Sequence, residues 1–457
     1  MLNFKNSPVE SSVLFIVILL LLMAPFQGLI TSWPSSIFGH LVFWQTWKEL
    51  LLIPAGLLTG LLIYRNRNLR QKFMHDKTTL LIMLYCVLSV VLAVTLSNDR
   101  RAAGASLLIN LRFFLFYIVT WSLSALTKLD AHQIVRKYIL PIALVVSVFA
   151  VLQLTVLTPE FLRHFGYAGN PIPARFTIDN DPTALRVAST TRGPNPLGAY
   201  LLVPLIFFVG LTYQAFKKHL KSGRPQLYQQ LCCGLAILVL LIALYGTLSR
   251  SAFIGFIAAL SCWLVLRFTK RNRTYLFGLL SVLVVLLGVV TYQLRGVSFI
   301  RNTVLHDNSG NLSSATSNKG HIVALEEGVR DVTSHPLTGC GPGCAGPASY
   351  HNSKGAKIAE NYYIQIAQEL GIGGLVLFLL IIYTVAKELY IHHSSSETAR
   401  VMLATLVGLS IVCLLLHTWA DDTVAYVWWG LAGLVIGAYS REDSVTATAK
   451  RPHTSHQ

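Results

Sequence analysis

The chain of 457 residues is 53% hydrophobic and only 12% charged, with a mean hydropathy of +0.56 and a formal net charge of +17. A soluble chain of this length would divide into two or three domains with many more charged residues on their surfaces, so these values exclude that class and indicate a polytopic membrane protein. The positive charge is not a nucleic-acid footprint, because Lys and Arg stand at the ends of apolar runs instead of lining one face with aromatics.

The expected fold is therefore all-α, a transmembrane helical bundle of about 12 spans, each near the ~20 apolar residues that cross a ~30 Å hydrocarbon core. In chain order the runs fall at approximately 12–31, 41–63, 78–96, 105–126, 138–157, 195–213, 228–246, 251–267, 275–294, 359–386, 400–418 and 423–439. The first reads as a retained span and not a signal peptide, since its apolar run is long and MAPFQG offers no small-residue cleavage pattern. Basic clusters at Arg65–Lys77, at Lys128, Arg136 and Lys137, at Lys217–Arg224 and at Arg267–Arg273 alternate with less basic turns, which places both termini in the cytoplasm. Two long loops then lie outside, loop A (158–194) and loop B (295–358, between spans 9 and 10). Residues 1–439 form a single transmembrane domain, and the polar stretch 440–457 is expected to be a disordered cytoplasmic tail. Most cysteines sit in apolar runs as small hydrophobes. Cys340 and Cys344 share loop B and leave open a disulfide or, with His335 and His351, a metal site, although the spacing matches no usual zinc pattern.

Three polar patches interrupt this apolar pattern, and all fall on the outer side. RVASTTRGPNPLGAYL (Arg186–Leu201) closes loop A and opens the sixth span, and TLSRSAFIGF (Thr247–Phe256) is a short turn between the seventh and eighth. The third runs from Ser334 to Gly374, where a Gly- and Pro-rich passage hands over to a helix near Glu360. In that helix Asn361, Gln365 and Gln368 make a polar stripe opposite Tyr363, Ile366, Ala367 and Leu370, the pattern of a segment that lies at a membrane surface before entering it after Gly371.

The order of a TLSRSAF turn, a long outer loop with an HPLTGxGPG passage and a helix reading xNxYxQxxxELGxxG resembles the O-antigen ligase/polymerase superfamily over about 180–385. The resemblance implies a multispanning glycosyltransferase of the bacterial cytoplasmic (inner) membrane, acting in cell-surface polysaccharide or lipopolysaccharide assembly. It would take a polyprenyl-diphosphate-linked glycan as donor and a glycan or lipid as acceptor, among membrane lipids, with no nucleic acid, cofactor or metal. The residues agree with that chemistry. A leaving diphosphate gains charge as the sugar bond breaks, and guanidinium forks at the interface suit it. Arg250 is the first candidate, with Arg186 and Arg192 as further donor-binding arginines; a lone interfacial arginine is also a common snorkelling anchor.

Glu360 stands beside Asn361 where members of the superfamily typically carry His-Asn, the histidine being regarded as the base. A carboxylate in a partly dehydrated cleft performs the same proton transfer; the competing reading is a charge complementing the helix N-terminus. His351-Asn352 offers the missing dipeptide nine residues earlier and ranks second. Two other classes stay open: a secondary transporter, whose substrate path Lys48, Glu49 and Arg112 would mark, and a non-catalytic glycan-lipid-binding protein that would tolerate loss of Glu360.

Overall fold

The computed structural model describes residues 7–169, 172–178, 181–222, 227–268, 312–353 and 355–449. The helices are α1 (Pro8–Met23), α2 (Gln27–Phe38), α3 (Leu41–Gln45), α4 (Trp47–Arg65), α5 (Arg67–His75), α6 (Lys77–Thr95), α7 (Arg100–Leu126), α8 (Ala131–Ile134) and α9 (Leu140–Thr155), followed by α10 (Pro194–Ser222), α11 (Leu227–Gly246) and α12 (Arg250–Arg267). After them come α13 (Leu312–Ser334), α14 (Tyr362–His392), α15 (Glu397–Val412) and α16 (Asp422–Ala449). Loop A contributes a small antiparallel hairpin, β1 (Phe176–Ile178) with β2 (Asp181–Arg186).

Among the described residues, ten segments are long and apolar enough to cross a membrane, and each coincides with an expected span. Of the other two, the run at 275–294 lies outside the described residues. The run at 400–418 corresponds to α15, a helix of 16 residues, short for a full crossing, with most of its surface inside the bundle. Three further expectations differ from the fold. Part of loop B is regular, since α13 occupies Leu312–Ser334. α14 starts at Tyr362, two residues after the expected handover. α16 continues to Ala449, into the stretch expected to be a disordered tail.

Apolar composition alone does not tell the helices where to stop against one another, because lipid tails are as apolar as leucine. Close approach of backbones does. α10 and α16 are the central helices, with 78% and 83% of their apolar windows buried against 28–56% for the others. α16 carries Gly430, Gly433 and Gly437 on the face that meets α7; a Cβ at Gly433 would fall 2.1 Å from Thr120 Oγ1 and 2.6 Å from the Tyr117 carbonyl. Ser124 donates to the Leu434 carbonyl at 2.7 Å across the same seam, and Phe113, Phe114 and Tyr117 pack on Trp429 beside it. Residues such as Leu57, Val94 and Leu379 instead project from the bundle, as lipid-facing side chains do.

Gly433→Leu should therefore force α7 and α16 apart and cost ~1–3 kcal/mol or more, the range for overpacking a well-filled seam. Thermal unfolding in detergent checks it, with Leu434→Ile as the control that leaves the seam open.

Candidate active site

The three polar patches are brought to one end of the bundle, and the local backbone explains how. Among the described residues, non-glycine residues with positive φ are His40, Ser189, Leu248 and Glu360. Three of these four lie in the three patches. Such conformations cost free energy and persist only where surrounding contacts enforce them. Ser189 is enforced by Gln153, whose Oε1 accepts from its N–H at 2.8 Å, and by its own hydroxyl donating to the Val146 carbonyl at 2.7 Å.

The first two patches are stitched together. Val187 N–H donates to the Gly246 carbonyl at 2.9 Å, and Arg186 donates from Nε to the Thr247 carbonyl at 2.8 Å and from Nη2 to Asn195 Oδ1 at 2.6 Å. Gly198 permits the contact, because a Cβ there would meet Ala252 Cβ at 2.7 Å. Arg250, the first residue of α12, is exposed. Burial lowers the Arg186 pKa to about 10, with the Arg250 charge pushing the same way, and Arg186 stays cationic at neutral pH.

The third patch is anchored on a break in α14. Gly371 has φ +69°, which interrupts the helix and leaves backbone groups to be paired by loop B. Cys340 N–H donates to the Gln368 carbonyl at 2.8 Å, Gly341 N–H to the Glu369 carbonyl at 3.1 Å, and Ile372 N–H to the Pro336 carbonyl at 2.8 Å. Glu369, fully buried, accepts from Gly343 N–H at 2.7 Å, Ser106 Oγ at 2.9 Å and Asn110 Nδ2 at 2.9 Å. Cys340 and Cys344 are joined by a disulfide, which settles the alternative left open for them. The polar stripe of α14 is covered by protein: Gln365 and Gln368 are buried, and Gln368 Nε2 donates to Asp331 Oδ2 of α13 at 3.0 Å.

A cavity of about 800 Å³ opens at this end. Arg192 and His351 line it, with Asn195 at the start of α10 and His417 in the connection between α15 and α16. Of the sequence candidates, Arg192 and His351 thus reach the cavity directly, and Arg186 touches it through Asn195. Glu360 and Asn361 are not among its lining residues. Asn361 caps α14, its Oδ1 accepting from Tyr363 N–H at 3.0 Å and Ile364 N–H at 3.1 Å. Glu360 precedes that cap and acts electrostatically on His417. Burial lowers the His417 pKa to about 4, against the opposing pull of the Glu360 carboxylate. Asp421, also lining the cavity, is pushed up by burial and drawn back by Arg192.

The charges that would mark a transporter path form a balanced, buried group. Lys48 pairs with Asp422 at 3.1 Å and Glu49 at 3.4 Å, and Arg112 pairs with Glu49 at 2.7 Å and with Asp422. Arg112 also donates to the Ala420 carbonyl at 2.8 Å, which ties α4 and α7 to the entry of α16. Two cations and two anions neutralise one another at the cavity floor.

A family model described as O-antigen ligase matches residues 235–379. Residues 235–379 are therefore similar to the O-antigen ligase family. This segment, about a third of the chain, holds Arg250, His351, Glu360 and Asn361, whereas Arg186, Arg192 and His417 come to the O-antigen ligase segment from outside it. No curated protein matches the chain significantly. Sequence reasoning missed His417 and Glu369. Glu369 carried a signal, a carboxylate on the apolar side of the motif helix, where an unpaired charge is costly; His417, in a short stretch after an apolar run, carried none.

Glu369→Ala would leave Gly343 N–H, Ser106 and Asn110 facing a void and should destabilise the protein by ~1–3 kcal/mol, the cost of buried polar groups losing their partner. Thermal unfolding in detergent checks this, with Glu369→Gln expected to retain part of the loss.

Proposed function

We propose that this chain is a membrane glycosyltransferase that moves a glycan from a polyprenyl-diphosphate carrier to an acceptor hydroxyl at the outer face of the bacterial cytoplasmic membrane. The observation that carries the reading is the match of residues 235–379 to an O-antigen ligase model, together with a cavity that Arg192 lines and that Arg186 reaches through Asn195. Guanidinium groups at this end of the bundle suit a dianionic ligand such as a diphosphate, which they can bind through forked hydrogen bonds. Arg192 extends the positive surface into the cavity.

In the reaction the acceptor oxygen forms a bond to the anomeric carbon while the bond from that carbon to the diphosphate oxygen breaks. The electron pair leaves with the diphosphate, whose added charge the arginines stabilise without a metal. The acceptor proton passes to a base at the cavity; of the two bases the sequence offers, His351 lines the cavity and Glu360 acts on it through His417. The opposing charges of Lys48, Glu49, Arg112 and Asp422 cancel, which favours a structural role for them over an ion pathway.

Arg250→Lys should nearly abolish transfer with normal expression, because an ammonium cannot reproduce a bidentate fork to diphosphate. The assay is purified protein in proteoliposomes with an undecaprenyl-diphosphate oligosaccharide and candidate acceptors. A lysine variant that turns over like the parent would make Arg250 an interfacial anchor.

The sidedness is tested separately. With both termini cytoplasmic, a cysteine placed at Ser313 should react with an impermeant thiol reagent in intact cells and one at Ser444 should not. The opposite pattern would put the cavity on the cytoplasmic face.

A further inference from the structure

We propose that His417 is the general base of the transfer and that Glu360 is its positioning residue, an assignment that rests on the glycosyltransferase reading above. Three observations point to it. His417 lines the cavity beside Arg192 and His351, whereas Glu360, half-buried, does not. His417 Nε2 is buried and has no hydrogen-bond partner among the described residues, in a side chain that lines the cavity. The segment carrying His417 is also fastened to the start of α14: Tyr362 N–H donates to the Cys413 carbonyl at 2.9 Å, and the Tyr363 hydroxyl donates to the Ser410 carbonyl at 3.0 Å.

These bonds tie the start of α14, just after Glu360, to the end of α15, just before His417, and the Glu360 backbone is held at φ +53°. Burial keeps the imidazole neutral at neutral pH, which is the form able to accept a proton. On attack, the acceptor O–H proton moves to His417 Nε2 as the oxygen binds the anomeric carbon and the diphosphate departs with its electron pair. The imidazolium so formed gains the nearby Glu360 carboxylate as counter-charge, and the proton then leaves to water. A carboxylate behind a histidine raises its basicity in the transition state without touching substrate.

The test uses the full-length protein in proteoliposomes with an undecaprenyl-diphosphate oligosaccharide and its acceptor. Turnover of His417→Gln should fall by ~10²–10⁴-fold, the range for a lost general base, with donor binding unchanged. Imidazole in the buffer should restore part of the turnover of His417→Ala, a readout that a structural role would not move. Glu360→Gln should also lose turnover, and the double variant should be no slower than His417→Gln alone. The assignment is overturned if His417→Gln works at the parental rate, or if its loss comes with lost donor binding or resists imidazole. A double variant slower by both factors makes the two residues independent and removes the positioning role. If the parent itself transfers nothing from the carrier, the glycosyltransferase reading fails and this assignment with it.

Discussion

A backbone group released from a helix within a bundle of this kind has no water to turn to, so it must be paired by protein. The break at Gly371 makes that constraint decisive here. It frees the carbonyls of Gln368 and Glu369, and the amides of the loop 336–343 take them up. The loop in turn folds around the Glu369 carboxylate, which reaches Ser106 and Asn110 on α7. One interruption in one helix thereby ties α14, loop B and α7 into a single unit. From that unit the chain continues through Pro347–His351 to the cavity and through Glu360 to the start of α14.

Charge is distributed at this end of the bundle in two ways, and the difference separates scaffold from site. Lys48, Glu49, Arg112 and Asp422 are buried in mutual contact, where removing one would strand another. Arg186 instead feels the like charge of Arg250 and spends its own hydrogen bonds on the Thr247 carbonyl and Asn195. Arg192 lies open to the cavity with Asp421 and Asp422 within its field. The balanced group fixes where the helices meet.

Strain is concentrated at the same place. Ser189, Leu248 and Glu360 each hold a left-handed backbone conformation that side chains disfavour, one in each polar patch. At Ser189 the enforcing hydrogen bonds are visible, donated to Gln153 Oε1 and to the Val146 carbonyl on α9. A site assembled from turns at helix ends gains its geometry in this way, since rigid spans supply the positions and short strained links supply the directions.

Much of the architecture was legible in the sequence because the bilayer imposes a length on every crossing segment, and apolar runs of that length are countable without knowing how they pack. The polar patches were legible for the same reason, as interruptions, and TLSRSAF together with ELGxxG carried the family. What the sequence could not decide is which interruptions meet. Arg186 and Arg250 lie far apart along the chain and come together through Thr247, Asn195 and Gly198. Asn361 read as the first residue of a polar stripe, and its side chain caps α14, a role set by where the helix begins. His417 follows an apolar run without any motif and acquires its place only because α15 and α16 turn it into the cavity opposite Glu360. Local composition determines whether a segment crosses the membrane. Which polar side chains share a cavity is decided by helix packing, and that depends on contacts such as the α7–α16 glycine seam, which join residues far apart in the chain.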